Sequence, residues 1–176
     1  MSIKKLLVIG AGIVVAATVG RSAPLEDRFR YQPQAVDKFP LQEMNLDLFG
    51  TYATRDRYGN SGDFGGGGVG LSYFFTRYVG IGADSYIEEW KWPYRVNGSL
   101  ILRAPLPQLG GLAPYAFGGG GRQFKYVPQW TFHGGGGLEF RMNRYTGLFG
   151  DARRVFSDLS SSRDYTLVRG GLRLSF

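Results

Sequence analysis

The chain of 176 residues contains no cysteine and a single histidine, His133. The first absence excludes a disulfide-stapled secreted scaffold and a lipid-modified cysteine anchor. Stability then has to come from packing, backbone pairing or a membrane. The second, with no cluster of ligating residues at metal spacing, gives no ground to expect a metal, and no cofactor is expected either. After residue 20 no stretch repeats apolar residues at i, i+3, i+4 and i+7, so helices are not predicted. Basic runs are missing too. Lysine and arginine outnumber the acids by 21 to 14, for a net charge of +7, yet the arginines stand singly and form no basic face. That scatter argues against a nucleic-acid partner.

What is present begins with a basic start, Met1-Ser-Ile-Lys-Lys5, followed by the uncharged, apolar and small-residue run Leu6 to Gly20. A charged n-region and a core of that length match a secretory signal over residues 1–20, being short of the about 20 apolar residues of a spanning helix. Val15/Ala17 and Thr18/Gly20 offer small residues at the cleavage positions, and loss of Lys4 and Lys5 would bring the charge to +5. Residues 21–42, with Pro24, Pro33 and Pro40, read as a polar, irregular segment on the periplasmic side.

From Glu43 the period becomes two. Glycine is abundant, with 28 residues, and aromatics make up 15% of the chain. There is no G-X-Y repeat, and aromatics flank the glycine runs, which excludes collagen and a flexible linker. Glycine-rich strands with aromatic ends suit a tightly curved barrel with aromatic girdles. Eight alternating segments are predicted, near 43–55, 64–75, 78–88, 95–104, 114–124, 131–142, 146–156 and 165–176. Each approaches the about 9–11 residues with which a tilted strand crosses a bilayer. Tight turns at Thr76-Arg77 and Asn143-Arg144 and a longer one over 105–113 would face the periplasm. Connections near 56–63, 89–94, 124–130 and 157–164 would face outside, with Trp90, Trp92, Tyr94 and Trp130 near the headgroups.

One face of these segments is apolar: Met44, Leu46, Leu48, Val69, Leu71, Ile81, Leu100, Tyr115, Phe117, Leu138, Leu148, Val168. The other carries Asp47, Asp84, Glu88, Glu139 and Asp151 with Arg103, Arg122, Arg141, Arg153, Arg169 and Arg173. Five acids against six arginines are close to neutral, as charges removed from water must be. The reading is an all-β, eight-stranded antiparallel up-and-down transmembrane barrel over residues 43–176. Its apolar face meets lipid and an ion-pair network fills its interior. A soluble ligand-binding barrel or sandwich, with the apolar face inward, is the alternative.

Three stretches resemble a known family: Leu112-Ala-Pro-Tyr-Ala-Phe-Gly-Gly-Gly-Gly-Arg122, His133-Gly-Gly-Gly-Gly-Leu-Glu-Phe-Arg141 and Gly147-Leu-Phe-Gly-Asp-Ala-Arg153. They are similar to the small OmpA/OmpX-like outer-membrane β-barrels, in the glycine-rich, porin-family variety. Leu172, Leu174 and Phe176 resemble the alternating C-terminal signal read by the barrel-assembly machinery. The resemblance implies a bacterial outer-membrane location and contact with outer-membrane lipid and lipopolysaccharide. It also implies passage through the assembly machinery but says little about activity; from the alternating segments and the paired interior charges, a non-enzymatic structural or surface-interaction role is expected, and a monomer.

As the single histidine, His133 is the residue that a Ser-His-acid arrangement would have to use. Glu139 shares its face but lies six residues on, about 20 Å along an extended strand, too far to orient the imidazole of a Ser-His-acid arrangement. A structural histidine is expected, with a lipid-modifying enzyme as the alternative. The glycine runs 65–68, 118–121 and 134–137 lack the Lys-Ser/Thr of a phosphate loop. An eight-stranded barrel with a filled interior would leave at most a narrow pore.

Overall fold

The computed structural model describes residues 38–55, 64–88, 91–124, 129–157 and 164–176. Eight strands close into one antiparallel barrel, each paired with its neighbours in the chain and β1 with β8. They are β1 (Glu43–Arg55), β2 (Phe64–Phe74), β3 (Val79–Glu88), β4 (Lys91–Arg103), β5 (Leu112–Gln123), β6 (Gln129–Arg141), β7 (Thr146–Ser157) and β8 (Tyr165–Ser175). All eight expected segments are strands. The main differences are earlier starts, by four residues in β4 and by two in β5 and β6. No helix long and apolar enough to cross a membrane occurs among the described residues, which says nothing of strands.

Register fixes the tilt. Stepping from partner to partner, Asn45 leads through Ser72, Gly82, Ser99, Gly119, His133, Val155 and Tyr165 back to β1 at Arg55. Ten residues of stagger in eight strands set the strands at roughly 40° to the axis, around an interior just wide enough for side chains.

At one end the strands are joined by tight turns. Asn143 Oδ1 accepts the backbone N–H of Tyr145 at 2.8 Å and of Thr146 at 2.9 Å. Thr76 Oγ1 accepts those of Tyr78 and Val79 at 3.2 and 3.0 Å. The third connection, between β4 and β5, makes one 3-10 turn over Pro107–Leu109 and reverses through Gly110 and Gly111. Their φ values of 68° and 107° are what side chains avoid. The chain enters at this same end, where Phe39 is buried. Its ring lies 4.9 Å below the Arg103 guanidinium carbon and 5.2 Å from that of Arg141. Lys38 Nζ donates to Gly110 O and Arg141 O at 2.9 and 3.0 Å. Residues 1–20, expected to be a secretory signal, and residues 21–37 lie outside the described residues. So do the connections 56–63, 89–90, 125–128 and 158–163 at the opposite end, with Trp90.

Burial alternates along every strand, and it runs opposite to a soluble protein. Leu71, Leu100, Leu102, Leu138 and Phe132 are about half exposed or more on the outside, while Glu139, Arg141 and Asn45 are wholly inaccessible within. Aromatics collect towards both rims of the outer surface, with Tyr73, Phe75, Tyr78, Phe140 and Tyr145 at the turn end and Tyr52, Trp130, Phe132 and Phe156 at the other. Such girdles flank the apolar band of membrane barrels.

Candidate functional site: a charged lumen

Small residues and inward arginines alternate around the axis because a barrel this narrow cannot hold a large side chain at every inward position. Opposite Arg153 and Asp151, β6 places Gly135 and Gly137. A Cβ on Gly135 would stand 2.9 Å from that of Arg153, and one on Gly137 would stand 2.5 Å from that of Asp151. The glycines make room for the guanidiniums.

The lower cluster, nearest the turns, gathers around Glu139. Its Oε2 accepts Arg173 Nη1 at 2.6 Å and lies 3.5 Å from Arg103 Nη1, while its Oε1 accepts Arg141 Nε. Arg103 and Arg141 both reach Glu43 Oε1, at 2.5 and 2.7 Å. Arg173 closes the cluster with a bidentate pair on Asp47, both bonds 2.7 Å. Asn45 accepts Arg141 Nη2 at 3.2 Å. Three carboxylates therefore face three guanidiniums, and the Arg173–Asp47 pair has the forked geometry that makes such bonds strong.

The middle cluster joins Asp84 and Asp151 through Arg153 and Arg169. Arg153 donates to Asp84 Oδ1 at 3.0 Å, and Arg169 binds Asp151 at 2.8 and 2.7 Å, with Asp84 Oδ1 3.4 Å away. Tyr115 donates its hydroxyl to Asp151 at 2.7 Å, and Asn97 donates to Asp84 at 2.9 Å. Rings fill the space beside the cations. Arg169 lies 4.9, 5.6 and 5.9 Å from the centres of Phe49, Phe117 and Phe149. Between the two clusters is a cavity of about 30 Å³, lined in part by Asp47, Asp84, Ser99, Tyr115, Arg169 and Arg173. It is large enough for about one or two water molecules.

Towards the opposite end, Tyr86 and Tyr165 share a hydrogen bond of 2.6 Å, and Arg95 donates to the Tyr165 hydroxyl and to Gln123. His133 Nε2 lies 2.8 Å from Ser99 Oγ. Its Nδ1 has no hydrogen-bond partner among the described residues. A serine beside a histidine is half of a nucleophilic arrangement. The carboxylate that would orient the ring is not placed on Nδ1, and the pair lies inside a packed lumen. No group of metal-ligating side chains occurs among the described residues.

Of the residues expected to line the interior, Asp47, Glu139, Arg141, Asp151, Arg153, Arg103 and Arg173 are buried there, and Asp84 and Arg169 nearly so. The Glu88 side chain lies outside the described residues. Arg122 is a correction: it points outward, with its guanidinium carbon 5.9 Å from the Phe124 ring and 5.5 Å from that of Trp130. The whole of β5 has the reverse parity to that expected, with Tyr115 and Phe117 inside. The cause is the lumen itself, which needs flat rings beside Arg169 and Arg173 as well as counter-charges. Asn45 was expected on the inward face of β1; Glu43 and Arg95 were not anticipated. Glu43 carried a signal, because it shares parity with Asp47; so did Arg95, with Asn97 and Arg103.

No protein-family model matches the sequence, and no curated protein matches it. Among solved structures, the barrel is similar to the N-terminal β-barrel domain of Pseudomonas aeruginosa OprF, at 16% identity and a TM-score of 0.58, over 76% of this chain and 97% of that one. It is similar to Neisserial surface protein A, at 12% and 0.54 over 77% and 97%. The outer membrane protein OprG of Pseudomonas aeruginosa matches at 10% and 0.50, over 80% and 99%. The chain has the fold of small eight-stranded outer-membrane barrels.

Proposed function

We propose that, with the fold of those barrels as its premise, the chain is an integral protein of the bacterial outer membrane with a structural or surface-interaction role and no catalytic activity. The observation that carries this reading is the reversed polarity of the wall. Leucine, isoleucine and aromatic side chains cover the outside, while carboxylates and guanidiniums neutralise one another within. In water the outer band would be a large exposed apolar surface of the kind soluble proteins avoid. In a bilayer the same band is satisfied, and a closed sheet leaves no backbone edge unpaired.

The two clusters and their rings fill the lumen, so solutes have at most a narrow path. Short turns and the chain entry share one end, which faces the periplasm, and the other connections face outward. Leu172, Leu174 and Phe176 line one side of the closing strand and serve its recognition by the assembly machinery; Phe176 pairs through its backbone with Met44. The partners are then outer-membrane lipid, lipopolysaccharide and, during biogenesis, that machinery. The folded protein is a monomer.

Membrane fractionation followed by electrophoresis of unheated and boiled samples tests the reading. Recovery in the outer-membrane fraction with a heat-dependent mobility shift is expected. Release into the periplasmic fraction without detergent, with no such shift, would contradict it.

A further inference from the structure

The mouth of the lumen at the turn end is covered by two residues that precede the barrel. Phe39 is only 3% exposed, although Leu41, two positions on, is 65% exposed and both lie outside the strands. The Phe39 ring stands against the guanidiniums of Arg103 and Arg141. The Arg103 guanidinium carbon also lies 3.8 Å from the centre of the Phe74 ring, so rings from two parts of the chain hold it. Lys38 ties the same segment to the barrel. Besides the bonds of its ammonium to Gly110 O and Arg141 O, its own carbonyl accepts Arg141 Nη1 at 3.5 Å. The fit is close, since a Cβ on Gly111 would stand 2.9 Å from Lys38 Cδ.

This covering has an opposing cost. Arg103 Nη2 and Glu43 Oε2 are buried and have no hydrogen-bond partner among the described residues. They belong to the ion pair that Phe39 lies against. Polar atoms buried without a bond are unfavourable, and water reaching the mouth would satisfy both. Seating Phe39 gains ring burial and cation contact, while lifting it gains hydration of those two atoms, and the two effects are comparable in size. The link to β1 is short: Pro40 restricts Phe39 to extended conformations, and Leu41 and Gln42 beyond it are exposed. We infer that Lys38 and Phe39 form a lid that swings about Leu41 and Gln42 and, when raised, opens the lower cluster to water from the turn end. What the lid governs is that cluster and not the middle one. Glu43, Arg103 and Arg141 lie directly beneath it, and Asn45 and Ser175 are reached by the next hydrogen bonds inward.

The chain has no cysteine, so a thiol placed under the lid reports its opening without background. Ser175 is buried, and its hydroxyl donates to Asn45 Oδ1, which also accepts Arg141 Nη2. Thr131, equally buried, lies in the opposite half of the lumen, where its hydroxyl donates to Gly121 O. The test is the rate at which S175C or T131C, in the full chain folded in detergent, reacts with a charged, water-soluble methanethiosulfonate, read by mass spectrometry. S175C alone is expected to react slowly, and S175C/F39A at least tenfold faster. S175C/K38M, which keeps the ring and loses the tie to Gly110 and Arg141, is expected to fall between. T131C is expected to react at the same slow rate with and without F39A, and a heat-dependent mobility shift establishes that each variant folds. Rapid reaction of S175C alone, or a rate that F39A leaves unchanged, would overturn the lid. So would an equal acceleration at T131C, because the barrel would then have loosened as a whole. If S175C/F39A does not fold, S175C/K38M decides by the same criteria. The reaction does not depend on where the barrel resides, so a failed lid leaves the outer-membrane reading standing; only the side the lid faces rests on that reading.

Discussion

Glu139 is the residue on which the lower cluster turns. Three arginines, Arg103, Arg141 and Arg173, converge on its two oxygens, and none of the four side chains is more than slightly accessible. Removing one partner of a buried pair leaves the others desolvated and uncompensated, which costs about 3–5 kcal/mol. Glu139→Ala should therefore lower the free energy of urea unfolding, followed by tryptophan fluorescence in bilayers, by at least that amount. A loss under about 1 kcal/mol would mean that water or a neighbour already compensates the arginines. His133 is a residue of the opposite kind. It bonds Ser99 and lacks an orienting carboxylate, so His133→Ala should leave the lipid A species seen by mass spectrometry unchanged. A lost acyl or headgroup modification would instead place the Ser99–His133 pair in an enzyme. At this scale the sequence was informative wherever charge alternated with leucine. It was silent where an aromatic ring took a charge's place, as at Tyr115, Phe117 and Phe149, because rings suit lipid and a guanidinium equally well.

Among elements, β8 and β1 close the cylinder, and glycine governs how near they come. Gly171 faces inward opposite Phe49, and a Cβ there would stand 2.7 Å from Phe49 Cα. Gly50, one register position away, faces out and has only Gly66 O at 4.0 Å. Gly171→Ala should reduce the heat-shifted, inserted fraction severalfold, whereas Gly50→Ala should leave it unchanged. Equal yields from the two would show that the seam adjusts freely. All eight strands were legible, since period-two alternation survives even in runs of four glycines when leucine or phenylalanine brackets them. Their starts were less so. β4 begins at Lys91, before Pro93, and β5 includes Pro114. Proline reads as a boundary because it cannot donate to the ladder, yet Pro114 faces outward, sits opposite Leu138 in the register, and its carbonyl accepts the Ala104 N–H at 2.9 Å. The parity of β5 was lost with it: its glycines carry no polarity, and its one charge, Arg122, belongs to the outer rim.

At the scale of the whole molecule, eight strands with ten residues of stagger enclose a lumen that two charge clusters occupy, with a cavity of only about 30 Å³ between them. Planar-bilayer recordings should show no large, stable conductance of the kind a porin gives, which a wider barrel would supply. Sustained high conductance would require the clusters to separate. The closed architecture followed from the sequence because no other arrangement gives eight half-apolar segments both a lipid face and paired charges. What did not follow is the seating of Phe39 beneath Arg103 and Arg141, since nothing near it alternates. The central claim is that the leucine-rich face of the wall meets acyl chains. It is tested most directly by placing tryptophan at Leu100, half exposed on the outside of β4, and measuring its fluorescence in bilayers with brominated acyl chains. Strong quenching with blue-shifted emission is the result expected for Leu100→Trp. Unquenched, red-shifted emission quenched instead by a water-soluble agent would contradict the account.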